Sequence, residues 1–299
     1  MRGRWFALVT CLAGCGGGGN KPDAPIDEPA ARCDPNGAFG APVLVTGING
    51  DLDDAAARFS EDELEVTFSR RTGGVWDLWR ASRGSIEEPF GAPVLLTTVN
   101  SVSSELWPTS TPDGLTLVWQ ADRTTPGTFH IWRSTRASRA VPFGPPAPRG
   151  DLRDNDTEPM LANERALYFT SAMRGGLGLG EILRAPVETS GAIGMPELLV
   201  GGVNSDRQED SAAVTADERV IYFRRISATG EPDVYTASRS TPTDGFGTAV
   251  PVSGLAKPGV SESPNWISPD GCHLYVHSDA TGGPAGINIW MASRPPPPP

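Results

Sequence analysis

With 299 residues the chain has room for one large domain or two small ones. Hydrophobic residues make up 38%, enough for a core, and 35 glycines with 29 prolines in no collagen-like period point to many turns between short strands. The net charge of −11, with lysine only at Lys21 and Lys257, excludes the basic surface that nucleic acid requires of a partner.

Residues 1–15 read as a targeting segment, in which Arg2 and Arg4 precede a short apolar stretch from Trp5 to Leu12. The stretch is too short to stay in a bilayer. It ends in Leu12-Ala13-Gly14-Cys15, which resembles the bacterial lipobox and implies lipidation at Cys15 after cleavage. An ordinary secretory leader with a chance cysteine is the alternative. Gly16 beside the cysteine implies, through the same resemblance, the outer membrane of a Gram-negative host. Residues 16–36 form a Gly/Pro/Asp tether with no apolar period. No other run of about 18 apolar residues follows, so contact with a membrane is expected through the lipid alone. With Cys11 in the leader and Cys15 lipidated, Cys33 and Cys272 remain as an even pair in an oxidising compartment.

From residue 37 onward the chain repeats itself about every 50 residues. One column runs Leu78-Trp79, Ile131-Trp132, Ile182-Leu183, Val234-Tyr235 and Ile289-Trp290. An upstream column runs Thr67-Phe68, Val118-Trp119, Tyr168-Phe169, Tyr222-Phe223 and Tyr275-Val276, preceded by turn signals such as Asp113-Gly114 and Asp270-Gly271. A third is Phe39-Gly40, Phe90-Gly91, Phe143-Gly144, a degenerate Ile193-Gly194, and Phe246-Gly247. Short β-branched or aromatic segments between turns, with no sustained 3.6-residue period, predict an all-β chain.

Each unit supplies four strands: one at Ala57 to Ser60, then those at Phe68, at Trp79 and from Phe90 to Leu96. Four strands per repeat describe a propeller blade better than a β-solenoid coil. The reading is a five-bladed β-propeller over residues 37–294, with blades near 51–100, 101–153, 154–204, 205–255 and 256–294 and a Pro tail at 295–299. The first Phe-Gly segment precedes any whole blade, and the last blade lacks one. Residues 39–45 are therefore expected to complete the last blade as a closing "Velcro" strand, which removes an exposed edge. A Cys33–Cys272 disulfide would lock that closure.

The run Glu262-Ser263-Pro264, Ser268-Pro269-Asp270-Gly271 and Leu274-Tyr275 resembles the TolB-type, WD-related propeller repeat of bacterial envelope proteins. The resemblance covers residues 37–294 and implies the propeller fold and the cell envelope; propellers serve binding, scaffolding and catalysis alike.

Asp54, Glu105, Asp156, Glu209 and Glu262 recur at one point of each unit, where the chain enters the innermost strand. They form either a ring of loop caps or, with Trp76, Trp107 and Trp266, a candidate ligand face at the channel mouth. That face also carries five unlike loops, at 70–74, 122–128, 174–180, 227–232 and 279–286. Asp51, Asp53 and Asp54, and likewise Asp151, Asp154 and Asp156, are oxygen-rich sets suited to Ca²⁺, though the first lacks the glycine and distal glutamate of an EF-hand loop. Trp79, Trp132, Tyr235 and Trp290, at one position in the repeat, read as core between blades. His273 and His277 stand about 13 Å apart along a strand, too far for one metal, and His130 lies alone, so no metal site or Ser-His-Asp triad is expected. Gly175 to Gly180 lies between strands and reads as a hairpin loop, not a phosphate loop.

The function expected is non-catalytic: a lipid-anchored envelope module that binds a protein or glycan. The alternative is a glycoside hydrolase of five blades using carboxylates at the channel mouth. Paired catalytic carboxylates should break the repeat, whereas this acidic column follows it.

Overall fold

The structure, a computed structural model, describes residues 32–176, 178–227, 230–255 and 259–298. The leader and the lipidation residue Cys15 lie outside these. Among the described residues there are twenty strands and no helix.

After β1 (Val43–Leu44) the chain makes β2 (Asp54–Phe59), β3 (Glu65–Thr72), β4 (Val75–Ser82) and β5 (Val94–Leu95). The second set is β6 (Glu105–Ser110), β7 (Thr116–Thr125), β8 (Thr128–Thr135) and β9 (Ala147–Pro148). The third is β10 (Asp156–Asn163), β11 (Ala166–Ser171), β12 (Glu181–Pro186) and β13 (Glu197–Leu198). The fourth is β14 (Glu209–Val214), β15 (Val220–Ile226), β16 (Pro232–Ser238) and β17 (Val250–Pro251), and the last three strands are β18 (Glu262–Ile267), β19 (His273–Ser278) and β20 (Asn288–Ser293). Each of the first four sets is one antiparallel sheet in sequence order; the fifth sheet runs β1-β20-β19-β18. The innermost strands β2, β6, β10, β14 and β18 abut in turn, and β18 returns to β2. This is the five-bladed propeller that the 50-residue period predicts.

Two details differ from the strand reading. The innermost strands begin at the acid itself, at Asp54 rather than Ala57. The outermost strands are only two residues long. Prolines such as Pro42, Pro93 and Pro146 remove ladder donors just after the Phe-Gly step, so only a stub beyond them pairs.

The core lies between blades. One buried cluster joins the last blade to the first through Phe59, Phe68, Phe90, Tyr275 and Ile289, and the Phe59 and Tyr275 rings stack at 3.7 Å. Equivalent clusters fill the other four interfaces. Trp132 is buried, and Trp79, Tyr235 and Trp290 pack half-buried against these clusters, as core residues should.

Closure repeats the contacts made inside the ring. Val43 and Leu44 pair with Met291 and Trp290. Gly40 N–H donates to Ser293 C=O at 2.9 Å, just as Gly91, Gly144 and Gly247 donate at 2.8 Å to Ser82, Thr135 and Ser238. The guanidiniums of Arg83, Arg136 and Arg239 lie 4.4, 4.5 and 4.2 Å from the rings of Phe90, Phe143 and Phe246, and Arg294 lies 4.6 Å from Phe39. A Cys33–Cys272 disulfide spans this seam with its Cα atoms 5.7 Å apart. Arg32 adds ion pairs to Asp270 and Glu63 across it.

Candidate functional site in the propeller channel

The acidic column is where the spacing puts it, at the entry to each innermost strand, but it is not an open anionic mouth. Asp54, Glu105, Asp156, Glu209 and Glu262 are all buried. Arg70, Arg123 and Arg225 meet Asp54, Glu105 and Glu209 at 2.7, 2.9 and 2.7 Å, and Arg174 pairs with Asp156. The same carboxylates accept backbone N–H bonds from Gly50, Ser101, Arg153 and Ser205 in the entry loops. Each guanidinium also lies over a core ring: Arg70 over Trp79, Arg123 over Trp132, Arg174 over Phe169 and Arg225 over Tyr235. In four blades, then, acid, arginine and aromatic ring form one repeated buried unit, and capping accounts for the contacts of the acids. In the fifth blade Ser278 stands opposite Glu262.

The channel itself departs from the repeat. Four innermost strands carry a bulge whose third residue has a left-handed backbone: Ala56, Trp107, Glu158 and Ser211, with φ of 53°, 54°, 54° and 56°. Such a conformation costs a non-glycine residue about 1–3 kcal/mol and re-aims its side chain. The fifth blade has Pro264 here, and proline cannot adopt a positive φ. One backbone device thus presents an alanine, a tryptophan, a glutamate and a serine.

Glu158 is the centre of this set. Its Oε2 accepts from Ser211 N–H at 2.6 Å, from the Thr170 hydroxyl at 3.2 Å and from the Ser211 hydroxyl at 3.3 Å. Every hydrogen bond to its carboxylate among the described residues goes to that one oxygen. Burial, with the Asp210 charge adding to it, pushes the Glu158 carboxyl up to about 7. Asp210 shares the Ser211 hydroxyl, and Arg224 holds both of its oxygens at 2.6 Å. The Asn265 amide donates to His277 Nδ1 at 2.8 Å and accepts from Ala57 N–H at 3.3 Å. Burial, then Arg224 and Arg58, lower the His277 imidazole to about 3, so it stays neutral. Its ring meets Trp107 edge-on at 5.4 Å. Arg58 crosses the channel from the first blade to the Ala212 carbonyl of the fourth, at 3.4 Å.

Of the three tryptophans outside the repeat, only Trp107 enters this group. Trp76 packs half-buried beside it, and Trp266 packs against Phe59 and Tyr275 in the seam between the last and first blades. The two aspartate sets do not converge. Asp53 accepts from Ile287 N–H, Asp151 pairs with Arg149 and Asp154 lies by His130, while Asp54 and Asp156 are held by their arginines. Among the described residues no three His, Cys, Asp or Glu side chains are grouped to hold a metal ion. Reading for repeats singled out none of Glu158, Asp210, Arg224, Arg58, Asn265 and His277 as a channel group. For those on innermost strands, the signal is departure from the column: Glu158, Asp210 and Arg58 are charged where the other blades have uncharged residues, and Asn265 is an amide where they have alanine or proline.

No family model matches the chain, and no curated protein does. Solved structures match in fold. An alpha-L-arabinofuranosidase from Podospora anserina aligns over 88% of this chain and 98% of its own, with TM-score 0.58 and 10% identity. A GH43_1 enzyme from Xanthomonas citri aligns over 85% and 91%, with TM-score 0.58 and 14% identity. TolB from Acinetobacter baumannii aligns over 81% of this chain but only 55% of its own, with TM-score 0.50 and 15% identity. The chain thus spans little more than half of the TolB structure. At these identities the likeness is one of fold: the protein is a five-bladed β-propeller similar to both TolB and glycoside hydrolase propellers.

Proposed function

We propose that the protein is a non-catalytic binding propeller of the cell envelope, held to a membrane through Cys15, that recognises a glycan at the channel end beside Glu158. The observation that carries this reading is the gathering of repeat-breaking polar groups in the channel. A carboxylate, an amide and a neutral imidazole together both accept and donate, which suits sugar hydroxyls. The acidic loop face supports binding less, because four of its five carboxylates are already matched by arginines.

The second reading, a glycoside hydrolase, is favoured by the raised Glu158 carboxyl, which suits a general acid near neutral pH. Hydrolysis needs a second free carboxylate as base or nucleophile. Asp210 is the nearest candidate, and Arg224 occupies both of its oxygens. Binding is therefore the better supported reading.

Incubation of the protein with a polysaccharide and peptide array tests this. Retention of a glycan without cleavage, lost in Glu158→Gln, is expected; released reducing ends would establish the hydrolase, and peptide retention alone would replace the glycan with a protein. For the anchor, Cys15→Ser in the native host should leave the membrane fraction. Unchanged fractionation would remove the lipid from the proposal.

A further inference from the structure

The opposite mouth of the channel, on the face of the tight turns, has a different chemistry. There the C-terminal ends of all five innermost strands enclose a cavity of about 80 Å³, which extends between the first and second blades. Water needs about 10–15 Å³ by the same measure, so the space admits a small polyatomic ion. Its charged lining is Arg58, Arg80, Arg136 and Arg139 against Glu61 and Glu65, a net excess of positive charge in a chain of net charge −11.

Arg58 is only 5% exposed, yet its Nε and Nη1 have no hydrogen-bond partner. A buried guanidinium left with two open donors is costly, and buried charges are ordinarily paired. Burial lowers it to about 9, with Glu158 opposing the shift. The Arg80 side chain forms no hydrogen bond or ion pair among the described residues. Burial, and then the charge of Arg80, lower the Arg136 guanidinium, and Arg139 adds to the repulsion. Arg136 and Arg139 are fixed by their own bonds to the Gly114, Asp113 and Pro112 carbonyls. The arginines are thus positioned without being neutralised.

We propose that this cavity is an oxyanion site, in which Arg58 receives a carboxylate or phosphoryl group and Arg80 completes its charge at the mouth. Each of the two open nitrogens, on different edges of the guanidinium, can donate a charge-assisted hydrogen bond to an oxygen of such a group. Arg58 stands between this cavity and the Glu158 end of the channel, whose charge reaches it, and the test therefore uses probes other than a neutral glycan.

Titration calorimetry of the protein with millimolar sodium phosphate and, separately, sodium glucuronate, at constant ionic strength in chloride, reads the site directly. At least one anion should bind while glucose gives no signal. Phosphate alone would assign a phosphoryl ligand, and glucuronate alone a carboxylate. Arg58→Gln should weaken binding by about tenfold or more, the size expected for a lost charge-assisted hydrogen bond. Arg80→Gln, at a half-buried side chain bonded to nothing, should keep the fold and weaken binding about threefold. Absence of binding by both anions overturns the proposal. So does binding that survives Arg80→Gln unchanged, or Arg58→Gln unchanged where that variant folds.

Discussion

The entry ring and the channel lie along the same five strands, yet charge is used differently in each. In the ring, four buried acids meet four arginines at the same point of successive blades, and the arginines continue onto core aromatics. In the channel, Glu158 has one oxygen crowded with donors and the other with no hydrogen bond among the described residues, and Arg58 has two open donors. In four blades the ring acid is matched by an arginine, because a buried charge that recurs must be paired each time. Glu158 and Arg58 occur once each and are left partly unmatched.

The largest effect that could break this contrast is on the ring. Glu105→Gln with Glu209→Gln leaves Arg123 and Arg225 buried without their carboxylates, at about 3–5 kcal/mol each. The double variant should be unfolded by circular dichroism at room temperature. A folded variant that merely loses ligand would return the acids to the role of a binding face.

Next in size is the seam. Cys33→Ser frees a loop of 239 residues and should lower stability by up to about 5 kcal/mol in denaturant titration. An unchanged midpoint would mean that β1 and the Arg294–Phe39 contact hold the closure unaided. Smaller still, Arg294→Gln and Arg83→Gln each remove an Arg-over-Phe contact, about 0.5–2 kcal/mol, at an arginine without an ion pair among the described residues. Equal losses would show that the closing blade is held like an interior one, and a larger loss at Arg294 would mark the seam as weaker.

The smallest effect sharpens the channel side. The Glu158 carboxyl is raised in the folded state, so the fold binds its proton more tightly than the unfolded chain does. Its contribution is therefore full below the unfolded value near 4.5 and is lost as pH rises through about 7. Glu158→Gln should remove that loss, so the gap in Tm between variant and wild type should widen across this window. A constant gap would mean that channel water has restored an ordinary carboxylate.

Residues that repeat were legible; residues that answer them across the fold were less so. The acids, the Trp79 column and the Phe-Gly step share one period, which was enough for five blades and the closing strand. The arginine partners escape the same comparison because the loops between acid and arginine differ in length: the separation is 16 residues for Arg70 and Arg225 but 18 for Arg123 and Arg174. Without those partners in view, the acids read equally as loop caps or as an open face. Glu158 could not be told from a surface glutamate, since no residue type marks the left-handed bulge, which falls on alanine, tryptophan, glutamate and serine alike. Arg58 reads as an ordinary strand arginine until the fourth blade is placed opposite it.

The seam has one more consequence. Asp34 N–H and the Pro295 carbonyl lie 2.9 Å apart, and the Arg294–Phe39 contact repeats the arginine-over-ring contacts at the other blades. The order in which the chain visits the blades is therefore an accident of where its peptide bonds are cut. Circular permutants joining residues 34 and 295 and reopening the chain in the exposed stretch at Gly84 to Glu88 should assemble the same ring, with the first blade becoming the composite one.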